Sequence, residues 1–121
     1  MPDHIDTGKR GEALAAEFLE RKGWRIAERN FRAGRGEIDL IAWAGNRLLV
    51  FVEVKTRRDD GFGGPEEAVD ARKQDILART AGIYMERIDY DWEIRFDIVA
   101  VLLRGDEVRE IRHVEDAFFP M

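Results

Sequence analysis

Leu48-Leu49-Val50-Phe51-Val52 puts five apolar side chains in succession, and Glu53-Val54-Lys55 closes the same run with two charges. A strand sends alternate side chains to opposite faces, so a run that is apolar at every position must be covered on both. Ile98–Leu103 is a second run of this kind. Two such strands in a chain of 121 residues call for one central sheet with a helix layer on each side. A chain of this length buries about two-thirds of the surface its unfolded form exposes. Its 45% hydrophobic residues are enough for that core. Both runs fall far short of the ~18 residues a membrane helix needs, and Met1–Asp6 has no apolar signal core. Cysteine and serine are both absent. Disulfides, thiolate chemistry, Cys-based metal sites and serine hydrolases are therefore excluded. The expectation is a cytoplasmic protein without a membrane partner.

Hydropathy period and breakers set out the remaining elements. Thr7 is a candidate N-cap, Leu14, Ala15, Phe18 and Leu19 share one helical face, and Gly23 is a natural stop, which predicts a helix over Gly8–Lys22. Strands are predicted at Trp24–Phe31, Glu37–Trp43 and Arg47–Thr56, joined by the Ala33–Gly36 and Ala44–Asn46 turns into an antiparallel meander. A second helix is predicted over Glu66–Met85, with a break near Asp70 and Ile76, Leu77, Thr80 and Ile83 on its apolar face. Strands at Trp92–Leu103 and Val108–Val114 follow. A helix between the third and fourth strands allows that pair to be parallel. The fold class is α/β: a mixed β-sheet flanked by helices, in the order α-β-β-β-α-β-β. Residues 1–7 are expected to be a flexible tail and residues 8–121 a single domain. Asp59–Pro65, rich in turn formers, reads as a mobile flap beside the Glu53–Lys55 strand end.

The formal net charge of −5 hides a gradient. Residues 1–36 sum to +2, residues 37–82 to −2 and residues 83–121 to −5. Arg21, Lys22, Arg25, Arg29, Arg32 and Arg35 form one basic stretch; Arg57 and Arg58 form another. Either could be a solvated face or a contact for phosphates.

Chemistry concentrates on the second and third strands. Glu53 and Lys55 point to the same side of their strand. Fully burying a carboxylate costs on the order of 20 kcal/mol in the ideal case and several after relaxation, so strand propensity does not explain their place. A self-satisfying pair at a solvated strand end is one account. Asp39, set inside Glu37-Ile38-Asp39-Leu40-Ile41, supports another. If the two strands form a hairpin, Asp39 and Glu53 converge, and two convergent carboxylates repel unless a cation lies between them. Hard oxygen donors favour Mg²⁺ or Mn²⁺. Lys55 beside such an ion could orient water or stabilise developing charge. Glu12 reads by itself as a first-turn acid complementing the helix dipole.

Gly36-Glu37-Ile38-Asp39-Leu40-Ile41 followed by Phe51-Val52-Glu53-Val54-Lys55-Thr56-Arg57 resembles the Asp…Glu-x-Lys signature of the restriction-endonuclease-like nucleases. Gly8-Lys9-Arg10-Gly11-Glu12, Arg72-Lys73-Gln74 and Arg95–Val101 extend a closer resemblance, from about Gly8 to Phe119, to the bacterial YraN-like family. The resemblance implies a mixed sheet flanked by helices. It implies metal ligation by Asp39 and Glu53, with Lys55 catalytic. Archaeal junction resolvases of that fold carry a helix-1 glutamate, which adds Glu12 to the catalytic candidates.

The resulting expectation is a divalent-metal-dependent endonuclease that hydrolyses phosphodiesters, by analogy in branched or structured DNA rather than RNA. Arg10, Arg32, Arg35, Arg57, Arg58, Lys73 and Gln74 are the candidate nucleic-acid contacts, and a homodimer would pair two sites. The rival expectation is a catalytically silent nucleic-acid-binding or partner-docking module on the same fold. Asp97 beside Arg95 reads as a structural ion pair. His4 and His113 belong to no metal-ligand spacing. Trp24, Trp43 and Trp92 are expected to pack in the core.

Overall fold

A computed structural model describes residues 7–58 and 69–119. The elements are α1 (Thr7–Arg21), β1 (Arg25–Ala33), β2 (Gly36–Ala44), β3 (Leu48–Arg58), α2 (Ala71–Arg87), β4 (Ile94–Arg104) and β5 (Glu107–Val114). They build one five-stranded sheet in the order β1-β2-β3-β4-β5. Only β3 and β4 run parallel; the other neighbours are antiparallel. The expected element order and mixed sheet are both present.

The apolar runs on β3 and β4 divide as their alternation requires. Phe51 and Leu49 join Phe96, Ile98, Leu77, Ala81 and Tyr84 in the core beneath α2. Val50 and Val52 join Val99, Val101, Leu103, Ala15, Ala16 and Leu19 in the core beneath α1. Each large apolar side chain so buried contributes about 1.5–3 kcal/mol. At one point on each helix, a glycine permits a close contact between helix and sheet. A Cβ on Gly11 would lie 1.8 Å from the Thr56 Oγ1, and one on Gly36 would lie 1.9 Å from the Thr80 Oγ1. The first contact seats α1 on the end of β3. The second seats α2 on the start of β2. Both fall at the same end of the sheet.

Several expectations need correction. The break expected near Asp70 is an N-cap: the Asp70 side chain accepts the Lys73 backbone N–H (2.9 Å), and the described helix runs from Ala71. Its buried face is Leu77, Thr80, Ala81 and Tyr84, rotated from the expected one so that Ile76 and Ile83 are only half-buried. Thr7 is the first helical residue rather than the cap, and its hydroxyl accepts from Arg58 (3.1 Å). Trp92 is 70% exposed instead of packed, with the Arg47 guanidinium over its ring. The tail (residues 1–6), His4, the Asp59–Pro65 flap and residues 66–68 of the expected helix lie outside the described residues. No helix among the described residues is long and apolar enough to cross a membrane.

Candidate active site

The β2–β3 ladder pairs Leu40 with Val52, and beyond that step the two strands no longer pair. Asp39 and Glu53 are the next residues outward, one on each strand. The cause is local to Asp39. Ile38 and Ile41 pack beneath α2 while Leu40, between them, packs beneath α1, so strict alternation lapses across Asp39. On the other side of β2, Arg29 pairs with Leu40 and Phe31 with Ile38, but the intervening Asn30 is left out of the ladder with φ at 51°. Freed from the ladder, the Asp39 side chain takes over a backbone role: its Oδ2 accepts the Val54 N–H at 2.8 Å.

Four further side chains surround this fork. Glu53 is 6% exposed and buried at the end of the β3 apolar run. Its Oε2 receives the Lys73 Nζ at 2.5 Å and the Lys55 Nζ at 3.4 Å. Glu12 lies beyond the first turn of α1, which removes the dipole account expected for it. Its negative charge bears on Asp39, and it accepts from the Asn30 Nδ2 at 2.8 Å. The tight Gly11–Thr56 contact positions it, because it fixes the adjoining stretch of α1 against β3.

The electrostatics are those of an overcrowded carboxylate cluster. Burial, and then the negative charges of Glu53 and Glu12, push the Asp39 pKa up to about 8 against the opposing Val54 hydrogen bond. Burial by itself would lower the Lys73 pKa; the hydrogen bond and charge of Glu53 outweigh it, and the net shift is upward. Two clefts open from this wall. One, of about 330 Å³, is bounded by Arg35, Gly36, Arg72 and Lys73. The other, of about 420 Å³, is bounded by Thr7, Gly8, Glu12, Lys55 and Arg57. Asp39 and Glu53 line both.

The chain matches the family described as "Uncharacterised protein family UPF0102" over residues 11–101. It belongs to the UPF0102 family. A UPF0102 protein of Pelobacter propionicus is 46% identical over 119 residues, covering 97% of this chain and 85% of that protein. UPF0102 protein FP2501 of Flavobacterium psychrophilum is 45% identical, covering 98% of both chains. A third UPF0102 protein, from Solibacter usitatus, is 52% identical over 101 residues, covering 81% of this chain and 76% of its own. The matched UPF0102 stretch contains Glu12, Asp39, Glu53, Lys55 and Lys73, so the whole fork lies within what the family shares in length.

Asp39 and Glu53 line the same two clefts, and the charge of Glu53 bears on Asp39, a repulsion that a divalent cation between them would relieve. Among the described residues no group of three or more Asp, Glu, His or Cys forms a ready-made metal cage. Mg²⁺ commonly binds through one or two carboxylates and keeps its remaining waters, so two carboxylates fit that ion better than they fit Ca²⁺.

The other sequence candidates separate into two groups. Arg35 and Arg57 border the clefts, and Lys73 enters the site itself. Arg10 instead donates to the Asp106 carbonyl. Arg58 donates to the Gly105 carbonyl (2.8 Å), so both brace the start of α1 against the β4–β5 turn. Gln74 spends its amide on the Val69 carbonyl (3.0 Å), and Arg32 faces Glu37 (3.6 Å) on the surface. Asn30 was missed. Its one signal was an amide inside a stretch otherwise read as strand, a residue type depleted there.

Proposed function

We propose that the protein is a divalent-metal-dependent phosphodiester hydrolase acting on nucleic acid, with a restriction-endonuclease-like sheet. One observation carries this reading. Two carboxylates from adjoining strands open onto the same clefts where the ladder ends, with two ammonium groups on the buried one. Asp39 and Glu53 would hold Mg²⁺ or Mn²⁺, which supplies Lewis acidity toward water and phosphate oxygens when bound. Lys55, at the mouth of the second cleft, would orient the attacking water and stabilise charge building on the phosphate. Glu12 and the Asn30 amide would fix the Asp39 side of the fork. Water would attack phosphorus, the P–O bond to the leaving nucleotide oxygen would break, and that oxygen would take up a proton. Arg35 and Arg57, one at each cleft, would hold the flanking backbone. DNA with branches or other structure is the substrate class favoured, in a cytoplasmic setting. A homodimer would present two sites to one junction.

The test is to incubate branched, single-stranded and duplex DNA and RNA with the purified protein and Mn²⁺ or Mg²⁺, beside Asp39→Ala and Lys55→Ala. Cutting that both substitutions abolish is expected. Cutting that survives both would contradict the reading.

A second reading is favoured by a specific contact. Lys73 already neutralises Glu53 at 2.5 Å, an arrangement that also suits a silent module that binds nucleic acid or a partner. Binding without cutting by the unaltered protein would select it.

A further inference from the structure

We propose that the cleft beside α2 continues into a track for an unpaired nucleic-acid strand, held by Arg35, Arg72 and Arg79. The proposal rests on the phosphodiesterase reading of the fork and specifies what that site receives. A depression of about 440 Å³ adjoins the 330 Å³ cleft, and the two share Arg35, Gly36, Arg72 and Ile76. The 330 Å³ cleft in turn shares Asp39 and Glu53 with the cleft at the start of α1. The three depressions thus adjoin in series, with the carboxylates where the 330 Å³ cleft meets the cleft at the start of α1.

The far depression is lined by three arginines and one carboxylate, Asp75, together with the apolar Ala33, Ile76 and Ile83. Arg72, Ile76, Arg79 and Ile83 recur along α2 at the spacing of a single helical stripe, and all four line it. Arg72 and Arg79 are seven residues apart, a rise of about 10 Å. Among the described residues Arg35 and Arg72 have no acidic partner. Arg79 meets Asp75 at 3.2 Å with both side chains mostly exposed, a pair weak enough to exchange for a phosphate. The acids nearby are engaged: Asp70 caps α2, and Glu37 faces Arg32 and Asn30.

The apolar lining decides between single strand and duplex. Ile76, Ile83 and Ala33 are half-buried and offer carbon to whatever lies over them. A duplex keeps its base faces within its own stack and would give these side chains only sugar and phosphate. An unpaired nucleotide presents an apolar face to them while its phosphate meets the arginines.

The experiment measures binding of labelled oligothymidylate and of a labelled duplex by fluorescence polarisation across a salt series, with chelator present so that nothing is cut. The unaltered protein is expected to prefer the single strand. The Arg72→Gln/Arg79→Gln double variant should bind it more weakly. Its slope of log affinity against log salt should flatten by about 0.7 per arginine removed. Arg79→Lys with Arg72 intact should keep the full slope. Arg112→Gln, on β5, should change nothing, and all variants should keep the native melting temperature. An unchanged slope in the double variant, with the unaltered protein still binding and cutting, overturns the track alone. Tighter binding of the duplex also overturns it. Absence of both binding and cutting by the unaltered protein overturns the track together with the reading beneath it.

Discussion

Asp39 and Asp97 are both aspartates set into apolar strands of one sheet, and their surroundings treat them oppositely. Asp97 is fully buried and fully answered. Arg95 grips it with two bonds of 2.8 Å, His113 meets it at 2.8 Å, and the Asp116 backbone N–H donates at 2.9 Å. Burial alone would raise its pKa; these partners outweigh burial and leave it below the usual carboxylate value. His113 goes on to contact Lys22 at 2.8 Å and packs edge-on to Trp24, so the network ties β4, β5 and the end of α1 together. Asp39 has one backbone donor and two acidic neighbours, and its pKa rises to about 8. One aspartate is a fastening. The other holds repulsion that only added positive charge or a proton removes, which is how a site differs from a scaffold.

The contrast can be broken most forcefully at the fastening. Asp97→Ala leaves Arg95 and His113 facing a buried void, and urea unfolding should show a loss of about 3–5 kcal/mol. The pH dependence has a definite sign. Because the folded pKa of Asp97 is depressed, its contribution is present above the unfolded value of 3.8 and is lost as pH falls through the folded value. The gap between native protein and Asp97→Asn should therefore close in acid. Next in size, Gly11→Ala drives a methyl into Thr56 and should cost about 1–3 kcal/mol, with Thr56→Ala restoring part of it. That pair tests whether α1 is pressed onto the fork by this contact.

Asp39→Asn should do the reverse of the Asp97 change. A carboxyl raised from 3.8 to about 8 favours folding fully below about pH 4, and that support is lost as pH rises through 8. Melting in metal-free buffer should show the Asp39→Asn variant equal to native at about pH 4. At about pH 9 the variant should be more stable by about 1–2 kcal/mol, allowing for solvent screening at a partly exposed group. Smallest of all, Arg21→Ala breaks an exposed pair with Glu17 (3.4 Å) and should stay within about 0.5 kcal/mol, because it belongs to neither region.

The contrast also shows how far sequence carries. The uninterrupted apolar runs on β3 and β4 demanded two covered faces, and a helix between them allowed the parallel pair; both are seen. The hairpin register brought Asp39 beside Glu53 because two-residue alternation and a short turn leave little choice. Alternation did not reveal that β2 breaks step at Asp39, opposite the left-handed Asn30 that leaves the ladder on the neighbouring strand. The Asp97–His113 contact spans sixteen residues and depends on β4–β5 register, so His113 looked idle. Lys73 was read as a phosphate contact rather than a partner of Glu53, because the approach of α2 to β2 is set by what a Cβ at Gly36 would strike. The Arg72–Arg79 stripe follows helical period and was open to the sequence once the helix face was placed correctly.

The most direct test of the fork is a calorimetric titration of the metal-free protein with Mn²⁺ at neutral pH, beside Asp39→Asn and Glu53→Gln. Saturable binding by the native chain, abolished in both variants while Arg112→Gln binds normally, is the predicted result. Equal uptake by all four proteins, or none by the native chain, would contradict a cation site between these strands.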